Sequence, residues 1–181
     1  SLKTYWEGYI SGDKALDLQS GLYGKPIGET LYVNGVNGDA FRFLYDEDYV
    51  NVPSIVNGVP EGSVVLWANY RQVGSANDGT YLFTATRGPP LIGQADGTNL
   101  GIHGGFGDDI RFGTHPPGTV WQWAPSNIIP ERGKWYHLAG TWGSKGMKIF
   151  VNGEEKGANE YKGPSALAKY NIIGASSWPG S

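Results

Sequence analysis

The sequence predicts an all-β sandwich or barrel, on three observations. Its periodic runs repeat every two residues, its punctuation is Asn-Gly and Asp-Gly, and its prolines fall between the periodic runs. In residues 64–71 (VVLWANYR), Val64, Leu66, Ala68 and Tyr70 alternate with Val65, Trp67, Asn69 and Arg71. A period of two sends successive side chains to opposite faces of a sheet, which is how a strand shows one face to a core and one to water. Residues 101–118 (GIHGGFGDDIRFGTHPPG) are dense in Gly, yet Ile102, Phe106, Ile110 and Phe112 would lie in water in a linker, so one or two strands bearing an exposed loop are expected. Residues 121–123 (WQW) place both indoles on one side if extended. Residues 135–142 (WYHLAGTW) alternate again, as do Met147, Ile149 and Val151. Asn152-Gly153 follows directly and predicts a hairpin, because a type I′ turn needs positive φ at both central residues. Asn34-Gly35, Asn37-Gly38, Asn57-Gly58, Asp78-Gly79 and Asp96-Gly97 mark further turns. Residues 165–169 (SALAK) form the one candidate helical turn.

Composition narrows the function classes. The 181 residues suit one domain, 1–181, and 7 Trp, 11 Tyr and 6 Phe supply enough area to bury that 29 Gly do not imply disorder. A net charge of -3 with no run of either sign argues against nucleic acid and anionic membranes as partners. No window approaches the roughly 20 apolar residues of a membrane span. The absence of Cys removes disulfides, thiolate zinc sites and thiol catalysis. The first residue is Ser1 where a Met would stand, which is read as the trace of a removed leader or tag.

Several phrases, in order, resemble one family. Tyr5-Trp6 opens the chain, and Ala40-Phe41-Arg42-Phe43 leads to Asp48-Tyr49-Val50-Asn51-Val52-Pro53. Val64-Val65-Leu66-Trp67-Ala68, Lys134-Trp135-Tyr136-His137-Leu138-Ala139-Gly140-Thr141 and Ile149-Phe150-Val151-Asn152-Gly153 follow, and then Asn171-Ile172-Ile173-Gly174. This succession resembles the concanavalin A-like lectin/glucanase superfamily in its laminin-G-like bacterial branch. The resemblance implies a two-sheet antiparallel β-sandwich, a jelly roll. In that branch a further strand follows the Ile-Gly phrase, whereas this sequence reaches Ser181 without one. The expectation is a domain lacking its final strand, with an open edge suited to a strand-donating or self-associating protein.

The superfamily contains retaining glucanases, whose mechanism needs two carboxyl groups about 5–5.5 Å apart. Their strand pattern, Glu-x-Asp, is absent, since none of Glu7, Glu29, Glu47, Glu61, Glu131, Glu154, Glu155 and Glu160 has an Asp two residues on. No Gly-x-Ser-x-Gly elbow, phosphate loop or His-Glu-x-x-His motif is present either. The expectation is therefore no enzymatic activity, and His137 is read as a structural strand residue.

A non-catalytic carbohydrate-binding module of a larger extracellular or cell-surface protein is what the resemblance then implies. Its alternative is a structural or adhesive domain that binds protein. For a polysaccharide or glycan, Trp121 and Trp123 are the expected stacking platform, with Tyr70, Arg71, Arg111 and His103 as polar partners. Trp6, Trp67, Trp135 and Trp142 lie in the strand phrases and are assigned to packing. Calcium, structural or ligand-bridging, is the one cofactor implied. It needs 6–8 oxygens, so Asp108 and Asp109 in the Gly-rich stretch, with Asp78, are its candidate ligands. Asp48, in contrast, is expected to cap a turn.

Overall fold

The computed structural model describes residues 6–11, 14–17, 21–45, 47–70, 80–88, 97–102, 108–116 and 118–175, the first of these segments by its backbone. Among them are fifteen strands and no helix. In chain order they are β1 (Trp6–Ser11), β2 (Lys14–Asp17), β3 (Tyr23–Ile27), β4 (Leu31–Asn34), β5 (Asp39–Arg42), β6 (Tyr49–Val52), β7 (Gly62–Asn69) and β8 (Thr80–Thr86). They continue with β9 (Gly97–Ile102), β10 (Ile110–Thr114), β11 (Gln122–Pro125), β12 (Trp135–Trp142), β13 (Met147–Val151), β14 (Glu154–Asn159) and β15 (Tyr170–Ile173). A nine-stranded sheet runs β1-β2-β3-β6-β15-β8-β9-β10-β11, a four-stranded sheet runs β14-β13-β12-β7, and β4-β5 form a separate hairpin. Every ladder between them is antiparallel.

The expected periodicity becomes burial. β12 alternates half-buried and buried along its whole length, with Tyr136, Leu138, Gly140 and Trp142 turned inward. Those side chains meet Leu100, Ile102, Ile110, Phe112 and Ala124 of the larger sheet, and Met147, Ile149 and Val151 complete the core between the two sheets. Gly140 is required there, because a Cβ at that position would overlap the Phe112 ring. Phe112 in turn stacks on Trp142, whose Nε1–H donates to Val59 O at 2.9 Å. A second core joins Ala15, Val50 and Val52 to Phe41, Phe43 and Ile173. The Asn152-Gly153 hairpin forms as expected, with φ of 53° and 84°.

Two side chains tie loops to the sheets. Asp48 is buried and accepts from Glu29 N–H at 2.6 Å, Leu44 N–H at 2.9 Å and Tyr45 N–H at 3.0 Å, the capping role expected of it. Asn171 accepts from Ile55 N–H and Val56 N–H and donates to Val56 O.

Two expectations need correction. Residues 165–169 are not helical, because their N–H groups find partners elsewhere. Ser165 N–H donates to Val59 O, Ala166 N–H to the hydroxyls of Thr98 and Thr114, and Ala168 N–H to Asn57 Oδ1. Trp67 is not a packing residue either. β7 turns Leu66 and Ala68 to the core and leaves Trp67 49% exposed, with its ring 5.0 Å from that of His137 on the outer face of the four-stranded sheet.

The sheets approach each other where β11 meets β14. Pro125 O lies where a Cβ of Gly157 would stand, and Asn159 Nδ2–H donates to Trp123 O at 3.0 Å. Pro125 is tolerated because β11 ends the nine-stranded sheet and its last position needs no ladder donor. This contact fixes β11, which carries Trp123 and is directly preceded by Trp121.

Candidate functional site

β10 and β11 pair with Phe112 opposite Ala124, Gly113 opposite Trp123 and Arg111 opposite Pro125. Phe112 and Ala124 belong to the core, so alternation sends Arg111, Gly113 and Trp123 to the opposite, outer face of the large sheet. Thr114 ends β10, and His115 follows one residue beyond it on the side of Gly113.

These residues form a column. The rings of Trp121 and Trp123 stack with centroids 4.5 Å apart and planes 10° from parallel. His115 stacks on Trp121 at 5.2 Å and 15°, and the Arg111 guanidinium lies 5.8 Å from the centre of the Trp123 ring. A Cβ at Gly113 would fall inside the Trp123 ring, so this glycine supplies the space in which the indole rests. Both tryptophans are half-buried, and neither belongs to a hydrophobic core. The two indoles share one side as expected, but they are stacked on each other and not laid flat side by side. With their faces covered in this way, the rings offer a ligand their edges.

The ends of the column are fixed by polar contacts. Arg111 is 7% exposed and pairs through Nε (2.8 Å) and an Nη with Asp109 Oδ1. Asp109 Oδ2 accepts from Asn127 N–H at 2.9 Å. At the other end His115 Nε2 meets Thr119 O at 2.9 Å. A guanidinium is a suitable cap for an indole, because its planar charge meets the negative ring face while its N–H groups remain free to bond a carboxylate in the same plane.

The remaining candidates separate. Tyr70 is 3% exposed and packs in the core, its ring 6.5 Å from that of Tyr136. Burial, and then Tyr136, push its phenol well above the usual 10.0. It is therefore a core residue and not a polar partner on the binding face. Arg71, His103 and Asp78 lie outside the described residues. Of the Asp108–Asp109 pair, Asp109 is turned to the Arg111 guanidinium. Asp108, at φ 57°, has a buried Oδ1 with no partner, and among the described residues no three His, Asp or Glu side chains gather as metal ligands.

Three residues on the same face escaped the sequence reading. Thr84, Thr86 and Asn99 are buried, and Thr84 Oγ1, Thr86 Oγ1 and Asn99 Oδ1 have no hydrogen-bond partner. Their strand segments (TYLFTAT and GTNLGI) look ordinary, and only the pairing of β8 with β9 brings them together.

Comparison with known proteins gives a consistent fold. The fourth domain of AbnA, an extracellular GH43 arabinanase from Geobacillus stearothermophilus solved with arabinotriose, superposes with a TM-score of 0.68 and 18% identity, covering 90% of this chain and 78% of that one. Domains LG4-5 of the mouse laminin α1 chain superpose with a TM-score of 0.52 and 12% identity, covering 89% of this chain and 38% of that one. No curated protein matches the sequence. The Laminin_G_3 family of the concanavalin A-like lectin/glucanases superfamily matches residues 44–181, and the chain belongs to that family.

Proposed function

We propose that this domain is a non-catalytic carbohydrate-binding module of an extracellular protein, and that it holds a glycan on the outer face of the nine-stranded sheet beside the Trp121–Trp123 column. The observation that carries the reading is the column itself. Four planar groups, those of His115, Trp121, Trp123 and Arg111, are stacked in order outside both hydrophobic cores. Ring edges held rigid at a half-buried rim outside both cores suit van der Waals contact with the C–H groups of a sugar. The similar AbnA domain was solved with arabinotriose, which supports a sugar as the ligand class and makes arabinotriose the first probe.

The absence of the family's Glu-x-Asp carboxylate pattern supports the non-catalytic part of the reading. So does the state of the one buried carboxylate beside the column. Asp109 is paired with Arg111 and hydrogen-bonded to Asn127 N–H, so both of its oxygens are engaged within the protein.

The test is calorimetric titration with arabinotriose and with a panel of plant and bacterial oligosaccharides, using the wild-type domain and Trp121→Ala. Saturable binding that Trp121→Ala weakens at least tenfold, with the fold retained by circular dichroism, supports the site. Binding untouched by Trp121→Ala moves the ligand elsewhere on the domain. Silence across the whole panel refutes the carbohydrate reading. Attention would then pass to self-association through β7, whose eight residues carry no charge and which ends the four-stranded sheet with Val65 and Trp67 about half exposed.

A further inference from the structure

The two large sheets end in β1, β11, β14 and β7, and the first three of these edges are blunted against pairing with another chain. β1 carries Glu7 and shifts register against β2 between Trp6 and Ile10. β11 is four residues long and ends in Pro125. β14 begins Glu154-Glu155-Lys156, and its ladder with β13 shifts register between Ile149 and Phe150. Charge, proline, shortness and bulges are the usual means of protecting an edge. β7 has none of them. Its eight residues (GSVVLWAN) include no charge and no proline, and they pair with β12 one to one from Gly62 to Asn69 without a shift. Among the described residues no strand pairs with its far side.

What this edge presents follows from the ladder. His137 N–H donates to Asn152 Oδ1 and His137 O accepts from Asn152 N–H, so the His137 backbone is turned toward β13 and away from β7. Backbone direction alternates along a strand, so Tyr136, Leu138 and Gly140 turn to β7, where they meet Ala68, Leu66 and Val64. The N–H and C=O groups of Ser63, Val65, Trp67 and Asn69 are therefore the ones turned to the free edge. Apolar surface accompanies them on both faces. Val65 and Trp67 are 56% and 49% exposed outside, and inside Val64 and Leu66 are only half-buried although they pack against the core.

We propose that β7 is a dimerisation edge whose occupant is β7 of a second copy of this chain, antiparallel about a two-fold axis at Leu66. The strand is self-complementary in that register. Directly opposite residues of an antiparallel pair point to one face, so Val65 meets Trp67 of the second copy outside, and Leu66 meets Leu66 and Val64 meets Ala68 inside. Ser63 meets Asn69 beyond them, polar against polar. The Trp67 ring has His137 on one side at 5.0 Å, and on the other it receives Val65 of the second copy, a favourable aromatic and β-branched cross-strand pair. An axis at Val65 would instead set Trp67 against Ser63, and one at Trp67 would set Val65 against Asn69. A two-fold also closes both edges at once, whereas an unrelated added strand would present a new edge of its own. The pairing does not depend on the carbohydrate reading. β11 and its column lie against β14, at the opposite end of the four-stranded sheet, so a dimer built through β7 leaves both columns uncovered.

Sedimentation velocity of the wild-type domain over a wide range of concentration is the test. It is repeated with Val65→Lys at the edge and with Phe150→Lys on the same outer face two strands inward, the fold being checked by circular dichroism. The expected result is a concentration-dependent dimer that Val65→Lys weakens at least tenfold, since an edge lysine opposes strand addition, and that Phe150→Lys leaves nearly unchanged. A domain that stays monomeric at every concentration overturns the proposal and leaves the edge to a strand of another protein. A dimer lost in Phe150→Lys and kept in Val65→Lys is a face-to-face stack and overturns it too. The chain has no Cys, so an introduced thiol reports the axis alone. Leu66→Cys should form a covalent dimer on mild oxidation. Val65→Cys should not, because its own counterpart lies on the diagonal, about 7–8 Å away and beyond disulfide reach. The reverse pattern overturns the register. Arabinotriose affinity is expected to be unchanged in Val65→Lys, which keeps the outcome separate from that of the glycan site.

Discussion

Trp121 and Trp123 share a stacked contact in which each indole covers one face of the other, 4.5 Å between centroids. Such pairs contribute about 0.5–1.5 kcal/mol beyond the area they bury. The coupling is measurable because neither ring lies in a core whose collapse would obscure it. In a double-mutant cycle of Trp121→Ala and Trp123→Ala, followed by urea denaturation, the two losses are expected to fall short of additivity by about 0.5–1.5 kcal/mol. Strict additivity would show that the rings do not stabilise each other in solution.

Gly113 is the position on which that stack depends. A methyl group there would occupy the Trp123 ring, and the neighbouring atoms are a rigid indole with little freedom to give way. Gly113→Ala is expected to destabilise the domain by about 1–3 kcal/mol, the usual range for overpacking. It should also abolish the exciton couplet that two parallel indoles give in circular dichroism, and weaken arabinotriose binding. A couplet that survives the substitution would place the stack elsewhere than over Gly113.

The Arg111–Asp109 pair is nearly closed to solvent, with side-chain exposures of 9% and 6%. Its stability value is set less by attraction than by what remains when one partner is removed. Arg111→Met leaves a buried carboxylate without its counter-charge and is expected to lose about 3–5 kcal/mol. Asp109→Asn/Arg111→Met together should be less harmful than the sum of the single changes, as read from denaturation midpoints at constant slope. Additive losses would mean that the two groups act independently.

These outcomes also show what the sequence could and could not reveal. Alternation alone puts Trp121 and Trp123 on one side, and that much was legible. Whether the rings lie flat or stack depends on the residue across the ladder, and Gly113 becomes the partner of Trp123 only once β10 and β11 are in register. The grouping of Thr84, Thr86 and Asn99 was hidden for the same reason. Threonine is a common strand residue, and nothing local distinguishes an outward hydroxyl with a partner from one without. Trp67 was misassigned because a period of two marks two faces and does not say which is inner. The core-facing set of β7 turned out to be Leu66 and Ala68. Asp48 could be placed correctly because two of its three capping contacts are local, reaching back three and four residues to Tyr45 and Leu44, while the third, to Glu29 N–H, is not.

Tyr70 was expected on the binding face and lies in the core, and alkaline titration tests that placement. Its hydroxyl is buried without a partner, and burial holds its proton above the ordinary value of 10.0. Below pH 10 the phenol is neutral in folded and unfolded chains alike and contributes no pH dependence. Above pH 10 the unfolded chain releases this proton while the folded chain retains it, so the unfolded state binds fewer protons and stability falls as pH rises. Tyr32, Tyr49, Tyr81 and Tyr161 are raised by burial too and steepen the same limb. Tyr70→Phe removes one member of the set. Between pH 10 and 11 its unfolding free energy should fall by about 1 kcal/mol less than that of the wild type. At pH 7 the variant should be as stable as wild type or slightly more so, because a buried hydroxyl without a partner has been removed. Its affinity for arabinotriose should be unchanged. A variant with the wild-type alkaline slope, or with weakened sugar binding, would return Tyr70 to the surface.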